Sequence, residues 1–127
     1  IDGHDVRPLI LGEPKAKTPY EVFYYYQRDH LQAIRSGPWK LFLPLQQFSR
    51  HPHFQQGEPA TTLLFNIVTD VRSQNNVAAD HPDVVRRLQQ LAVKARIELG
   101  DTNQPGKGQR LPGIVSNPLP QLNPSPP

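Results

Sequence analysis

The side chains able to do chemistry are few and dispersed. Of five histidines, only His51 and His53 are close, with Pro52 between them. Two imidazoles at that spacing suit a metal ion, but a complete site needs further ligands, and the nearest carboxylate is Glu58. Solvent-exposed loop histidines are the plainer reading. His30 follows Asp29 and fits a turn residue better than a polar contact at a cleft rim. Arg35 and Lys40 flank Ser36-Gly37-Pro38. Such a pair could meet an anion, although solvated strand ends are the commoner use of exposed cations. Tyr24-Tyr25-Tyr26 and Trp39 offer rings that could stack on sugars or bases. Consecutive strand residues face opposite sides, so at least one tyrosine packs inside. Gly106-Lys107-Gly108 is a weak hint of a phosphate cradle, since no strand precedes it. Neither a G-x-S-x-G elbow nor a His-Glu-x-x-His helix occurs. With no cysteine, thiolate zinc sites, cysteine nucleophiles and a disulfide scaffold are excluded.

Those residues must be held by a small frame. The chain has 127 residues, room for one domain with a modest core. Fifteen prolines require part of it to be irregular. The net charge of +3 is scattered, its longest basic run being Arg86-Arg87. A nucleic-acid binder concentrates such charge on one face or arm, so nucleic acid is not an expected partner. No apolar run approaches the ~20 residues of a membrane helix. The chain opens Ile-Asp-Gly and reads as a piece of something longer.

Periodicity divides the chain into residues 1–19, 20–100 and 101–127. In the first part, Pro8, Pro14 and Pro19 favour extended geometry, and Leu9-Ile10-Leu11 forms an apolar plug that must bury against something. In the second, Val22–Tyr26, His30–Arg35, Trp39–Leu43 and Leu63–Ile67 read as strands. The first three have connections so short that they must be antiparallel. Alternation places Leu31 and Ala33 on one face, with Gln32 and Ile34 on the other. Residues 44–62, which carry His51 and His53, read as an exposed loop. A helix is predicted over residues 82–99. Val84, Leu88, Leu91, Ala95 and Leu99 form its stripe, widened by Val85 and Ala92, with Pro82 and Asp83 at its start and Gly100 at its stop. The expected fold class is α+β: about four antiparallel strands packed by one C-terminal amphipathic helix. Residues 101–127 read as an extended or disordered Pro-rich tail.

The order of these motifs resembles the C-terminal subdomain of the arylsulfatase-like, formylglycine-dependent sulfatases. Asp2-Gly3-His4-Asp5-Val6-Arg7-Pro8-Leu9-Ile10-Leu11-Gly12 is similar to that family's D-G-x-D-L-x-P-L-L-x-G segment. Leu31-Gln32-Ala33-Ile34-Arg35-Ser36-Gly37-Pro38-Trp39-Lys40-Leu41 is similar to its L-x-A-V-R-x-G-x-W-K-L hairpin. Leu64-Phe65-Asn66-Ile67, Asp70 and Asn76-Val77-Ala78 follow its L-Y-D-L-x-x-D-P-x-E-x-x-N-L-A segment, with Asn66, Val71 and Ser73 departing from the pattern.

The resemblance implies that the nucleophile, a formylglycine made from the Cys or Ser of a C/S-x-P-x-R motif, and its calcium belong to a large N-terminal catalytic domain. That motif does not occur here, so no catalytic residue and no metal ligand carries over, and no cofactor is expected in this chain. What it implies for this region is packing on that domain and shaping of the cleft for a sulfated small molecule or glycan. His30, Arg35, His51 and His53 are then the candidate substrate contacts. It further implies a parent exported from the cytoplasm. The sheet face away from the helix, or the plug at Leu9–Leu11, would meet the N-terminal domain, and the isolated chain would dimerise to cover it. Two other readings stand beside this one: a stand-alone binding module for sulfated or acidic glycans, and the equivalent part of a related phosphodiesterase, phosphonate hydrolase or phosphotransferase.

Overall fold

A computed structural model describes residues 3–44, 61–110, 113–114 and 116–117. Its element order is α1 (Arg7–Ile10), β1 (Phe23–Gln27), β2 (His30–Ser36), β3 (Trp39–Phe42), β4 (Leu63–Asn66), α2 (Pro82–Leu99), β5 (Gly100–Asp101) and β6 (Gln104–Pro105). The first four strands form one antiparallel sheet in sequential order, and β5 pairs with β6. The α+β meander backed by one helix is therefore as the sequence predicts.

Alternation and short turns account for most of this sheet. The β2–β3 hairpin closes at the Ser36–Trp39 pair, and Gly37 takes φ 57° there, a conformation that glycine adopts without a Cβ penalty. Val22, Tyr24, Tyr26 and Trp39 pack on a core of Leu31, Ile34, Leu41, Leu43 and Leu64. Two of the three consecutive tyrosines thus serve the core.

Parity on β2 departs from simple alternation. Tyr25 pairs with Ala33, but Tyr26 pairs with Leu31, leaving Gln32 as an extra residue on β2. Such a bulge reverses the facing of everything on one side of it. Leu31 and Ile34 consequently join the same core cluster, against the expectation that they oppose each other.

The helix covers that core with Leu88, Ala92 and Ala95, flanked by the half-buried Val84, Val85 and Leu91. Pro82 opens it, Asp83 lies in its first turn, and Gly100 at φ 94° ends it, as expected from the sequence. Leu99 departs from the predicted stripe and is exposed. The exposed Arg87 reaches back to the sheet, and its Nη1 donates to the buried Ser36 hydroxyl at 3.1 Å.

Side chains close the loops between elements. Asn66 Oδ1 accepts from Val68 N at 3.1 Å, and Asp70 Oδ2 accepts from Gln74 N and Asn75 N, each at 2.8 Å. Asn76 Oδ1 accepts from Leu64 N at 3.0 Å while Val77 N donates to Leu64 O at 2.9 Å. These bonds occupy the free edge of β4, where unpaired amides would otherwise invite another strand. Asn66 thus closes a tight turn through its side-chain oxygen, an acceptor that an aspartate would offer equally.

Two further expectations are corrected. Within the segment read as extended, Arg7–Ile10 make one helical turn that buries none of its residues. Ile10 and Leu11 remain 76% and 72% exposed, so the apolar plug is not buried within this chain. After the helix, residues 101–110 of the segment read as an extended or disordered tail fold back on the helix end, forming β5–β6 with Gly100. Lys107 N donates to Ile97 O at 2.9 Å and Gly108 N to Glu98 O at 2.8 Å. Gly100 N bonds Arg96 O, and the Gln109 side-chain amide bonds Leu99 O. The last carbonyls of a helix have no partner within it, and here the returning loop supplies one for Ile97, Glu98 and Leu99, while the capping Gly100 amide serves Arg96. A Cβ on Gly106 would overlap the Glu98 carbonyl and the Gly100 amide. Gly106-Lys107-Gly108 is therefore a helix-closing loop.

Candidate functional site: the helix-free sheet face

The sheet face opposite α2 carries Phe23 and Tyr25 from β1, Ala33 and Arg35 from β2, Lys40 and Phe42 from β3, and Leu63 and Phe65 from β4. Register fixes this set: Phe23 pairs with Arg35, Tyr25 with Ala33, Arg35 with Lys40, Lys40 with Phe65 and Phe42 with Leu63. Its two halves differ. Leu63 and Phe65 on the β4 side are buried, while Phe23 and Tyr25 on the β1 side keep 42% and 40% exposure.

Lys40 sits where the halves meet. Its Nζ stands 4.7 Å from the Tyr25 ring centroid and 4.8 Å from that of Phe42, within the reach of cation–π attraction. Arg35 Cζ lies 6.0 Å above the Phe23 ring, and its Nε donates to Gly37 O at 3.5 Å. Burial, and after it the charge of Arg35, hold the Lys40 ammonium below the ordinary lysine range. The aromatic row continues from Phe23 to Tyr20 at 5.7 Å and on to His4 at 5.0 Å between ring centroids. His4 N also donates to the Tyr20 hydroxyl at 3.2 Å. Two cations among exposed rings can hold an anion or take another surface.

The predicted site residues are not gathered together. His30 and Arg35 lie at opposite ends of β2, His30 pairing with Gln27 beside the β1–β2 turn. His51 and His53 lie outside the described residues. Lys40, which the sequence offers with Arg35 as a possible anion contact but more simply as a solvated strand end, is not among the predicted substrate contacts. Its spacing of five from Arg35 across a tight turn was the signal that the two share a face.

A second feature lies at the His30 end of the sheet, where a shallow hollow of about 600 Å³ is lined by Tyr26, Arg28, Asp29, Asp101, Asn103 and Gln104, among others. Its walls are cross-tied. Tyr26 donates to Gly100 O at 2.8 Å, Leu31 N to Asp101 Oδ1 at 3.1 Å, and Asn103 N to Asp29 Oδ2 at 3.3 Å. Its most deeply bonded carboxylate, Asp101, is engaged by Arg96 Nε at 2.6 Å. The hollow is thus the seam where the post-helix hairpin docks. Among the described residues no group of three or more His, Asp or Glu gathers as a metal site would require, and no helix is long and apolar enough to cross a membrane.

A sequential antiparallel meander with one covering helix and an aromatic, cationic half-face defines a small α+β unit. Comparison with known proteins gives it a family. The model for the C-terminal region of aryl-sulfatase matches residues 18–121, and the chain belongs to that family. Among solved structures, it is similar to a Bacteroides thetaiotaomicron sulfatase described with the metabolism of multiple glycosaminoglycans. The two share 27% identity and a TM-score of 0.54, over 75% of this chain and 20% of the other. The chain therefore spans about a fifth of that protein's length. No curated protein matches it.

Proposed function

We propose that this region is the C-terminal, non-catalytic part of a sulfatase, a sulfuric ester hydrolase, and that it packs on an N-terminal catalytic domain and helps shape the substrate cleft. The observation that carries the reading is the β1 half of the helix-free face, where rings stay exposed beside two cations. Contiguous apolar surface of this kind marks a contact site, and the exposed Ile10 and Leu11 add to it. The 20% share of its structural relative is consistent with a large remainder for it to meet. The parent would carry the formylglycine and the calcium in that remainder. No group of carboxylates or histidines that could hold such an ion is gathered among the described residues. The relative's connection with glycosaminoglycans supports a sulfated saccharide as the parent's substrate class.

His30, Arg35, His51 and His53 are the proposed substrate contacts. Because His30 and Arg35 lie at opposite ends of β2, a single small substrate would reach only one of them. The coding frame upstream of Ile1 should contain a C/S-x-P-x-R motif and an aspartate-rich site. In that whole enzyme, Arg35→Ala should raise KM for the sulfated substrate. An upstream frame without the motif would refute the sulfatase reading, and turnover unchanged by alanine at all four positions would refute the cleft contact.

A second reading, a stand-alone module for sulfated or acidic glycans, draws on the same two cations over aromatic rings. It predicts salt-sensitive retention of this chain on a sulfated polysaccharide, and absence of retention at low salt would remove it.

A further inference from the structure

Arg35 and Lys40 are direct cross-strand partners, and both belong to the helix-free face. Like charges placed opposite each other in a sheet repel. The ion pairs formed among the described residues are Arg7 with Asp5 and Arg96 with Asp101. Neither Arg35 nor Lys40 has a carboxylate within ion-pair distance among those residues. Aromatic rings satisfy part of the ammonium's field, yet they accept no strong hydrogen bond from its three donors. The charge pair stands between a buried half-face and an exposed one, with Phe23 and Tyr25 as an apolar surround. An arriving anion would lose water there and bind more strongly for it.

We propose that Lys40, with Arg35 beside it, receives an Asp or Glu carboxylate from the N-terminal part of the sulfatase polypeptide, forming an ion pair inside the seam between the two parts. This rests on the reading that the region packs on that domain. Charge complementarity is the argument, because two adjacent cations without a counter-charge among the described residues favour an acidic partner surface. Arg35 contributes a planar fork suited to a carboxylate, and Lys40 contributes a point charge with freely rotating donors. The rings around them exclude water from the pair, as the rim of a buried contact does.

The test uses the whole polypeptide that carries this region. A water-soluble carbodiimide condenses a lysine amine with a touching carboxylate, with loss of water, and leaves an amide bond readable by mass spectrometry. Hydroxyl-radical footprinting of Phe23 and Tyr25 in the same sample reports whether the face is covered. The expected result is a link from Lys40 to an Asp or Glu upstream of residue 1, abolished in urea. Phe23 and Tyr25 should be at least threefold less oxidised in native protein than in urea. Lys40→Arg should remove the link yet keep the melting temperature within about 1 °C, whereas Lys40→Glu should lower it by several degrees. Protected rings without any Lys40 link upstream would overturn the ion pair and leave the packing intact. Rings equally oxidised in native and unfolded protein would overturn the packing, and the ion pair with it.

Discussion

Asp101 ties the end of the helix to the middle of the sheet, and its removal is the most informative perturbation of this fold. Its Oδ1 accepts from Leu31 N at 3.1 Å and Thr102 N at 2.9 Å, and its Oδ2 accepts from Arg96 Nε at 2.6 Å. The ion pair is the smaller part of this. The Arg96 side chain is 41% exposed, against 15% for Asp101, so water screens the pair and it contributes at most about 1 kcal/mol. The Leu31 amide matters more. Leu31 belongs to the core, and stranding a buried donor costs about 1–3 kcal/mol. Asp101→Ala should therefore destabilise the chain by about 2–3 kcal/mol, or about 8–12 °C at ~4 °C per kcal/mol for a domain of this size.

Asp101→Asn keeps an acceptor for Leu31 N and loses only the charge, so it should cost about 1 kcal/mol or less. The pH dependence has a definite sign. Burial pushes the Asp101 carboxyl up, but the bonds from Arg96, Thr102 and Leu31 outweigh it and hold the group below the ordinary aspartate value. A carboxylate depressed in the folded state stabilises above its unfolded value, about pH 3.9, and that contribution is lost as pH falls through the folded one. The gap between wild type and Asp101→Asn should thus be full at pH 7 and close progressively below about pH 4. Urea titrations of the three proteins across that range are the assay. An Asp101→Ala variant within 0.5 kcal/mol of wild type, roughly the scatter of surface substitutions, would show that the post-helix hairpin is not docked.

Three further perturbations test the other joints. Asn76→Ala strands the amide of the fully buried Leu64 and should cost about 1–3 kcal/mol in urea unfolding; a neutral result would mean that the β4 edge is not closed by this side chain. Gly106→Ala forces a Cβ into the Glu98 carbonyl and should cost about 1–3 kcal/mol, with faster hydrogen exchange at the Lys107 and Gly108 amides than in wild type. Leu88→Ala opens a void between helix and sheet and should cost about 2–5 kcal/mol, much more than the same change at the exposed Leu99, so equal losses at the two sites would contradict the packing described.

What could be read in the sequence was whatever local chemistry decides. The helix over residues 82–99 follows from a 3.6-residue apolar period, a proline and an aspartate at one end and a glycine at the other, all of which act within a few residues of each other. The first three strands and their antiparallel order follow from alternation and from turns too short for a crossover, whereas β4 follows a connection of twenty residues, residues 43–62. Asn66, Asp70 and Asn76 were legible as turn residues, and each side chain bonds amides close by or, for Asn76, on the adjacent edge.

The remainder depended on partners distant in the chain. One extra residue at Gln32 brings Leu31 and Ile34 to the same face, and no rule of alternation signals an insertion that only the paired strand defines. The segment after Gly100 has little apolar periodicity, because it is held by helix carbonyls and by Asp101 reaching a strand seventy residues earlier. Arg35 and Lys40 were visible as two cations flanking a turn. That they oppose each other over aromatic rings, with no carboxylate in ion-pair distance among the described residues, came from strand register. Local preference sets which elements form, and register and long-range hydrogen bonds set which faces and charges they bring together.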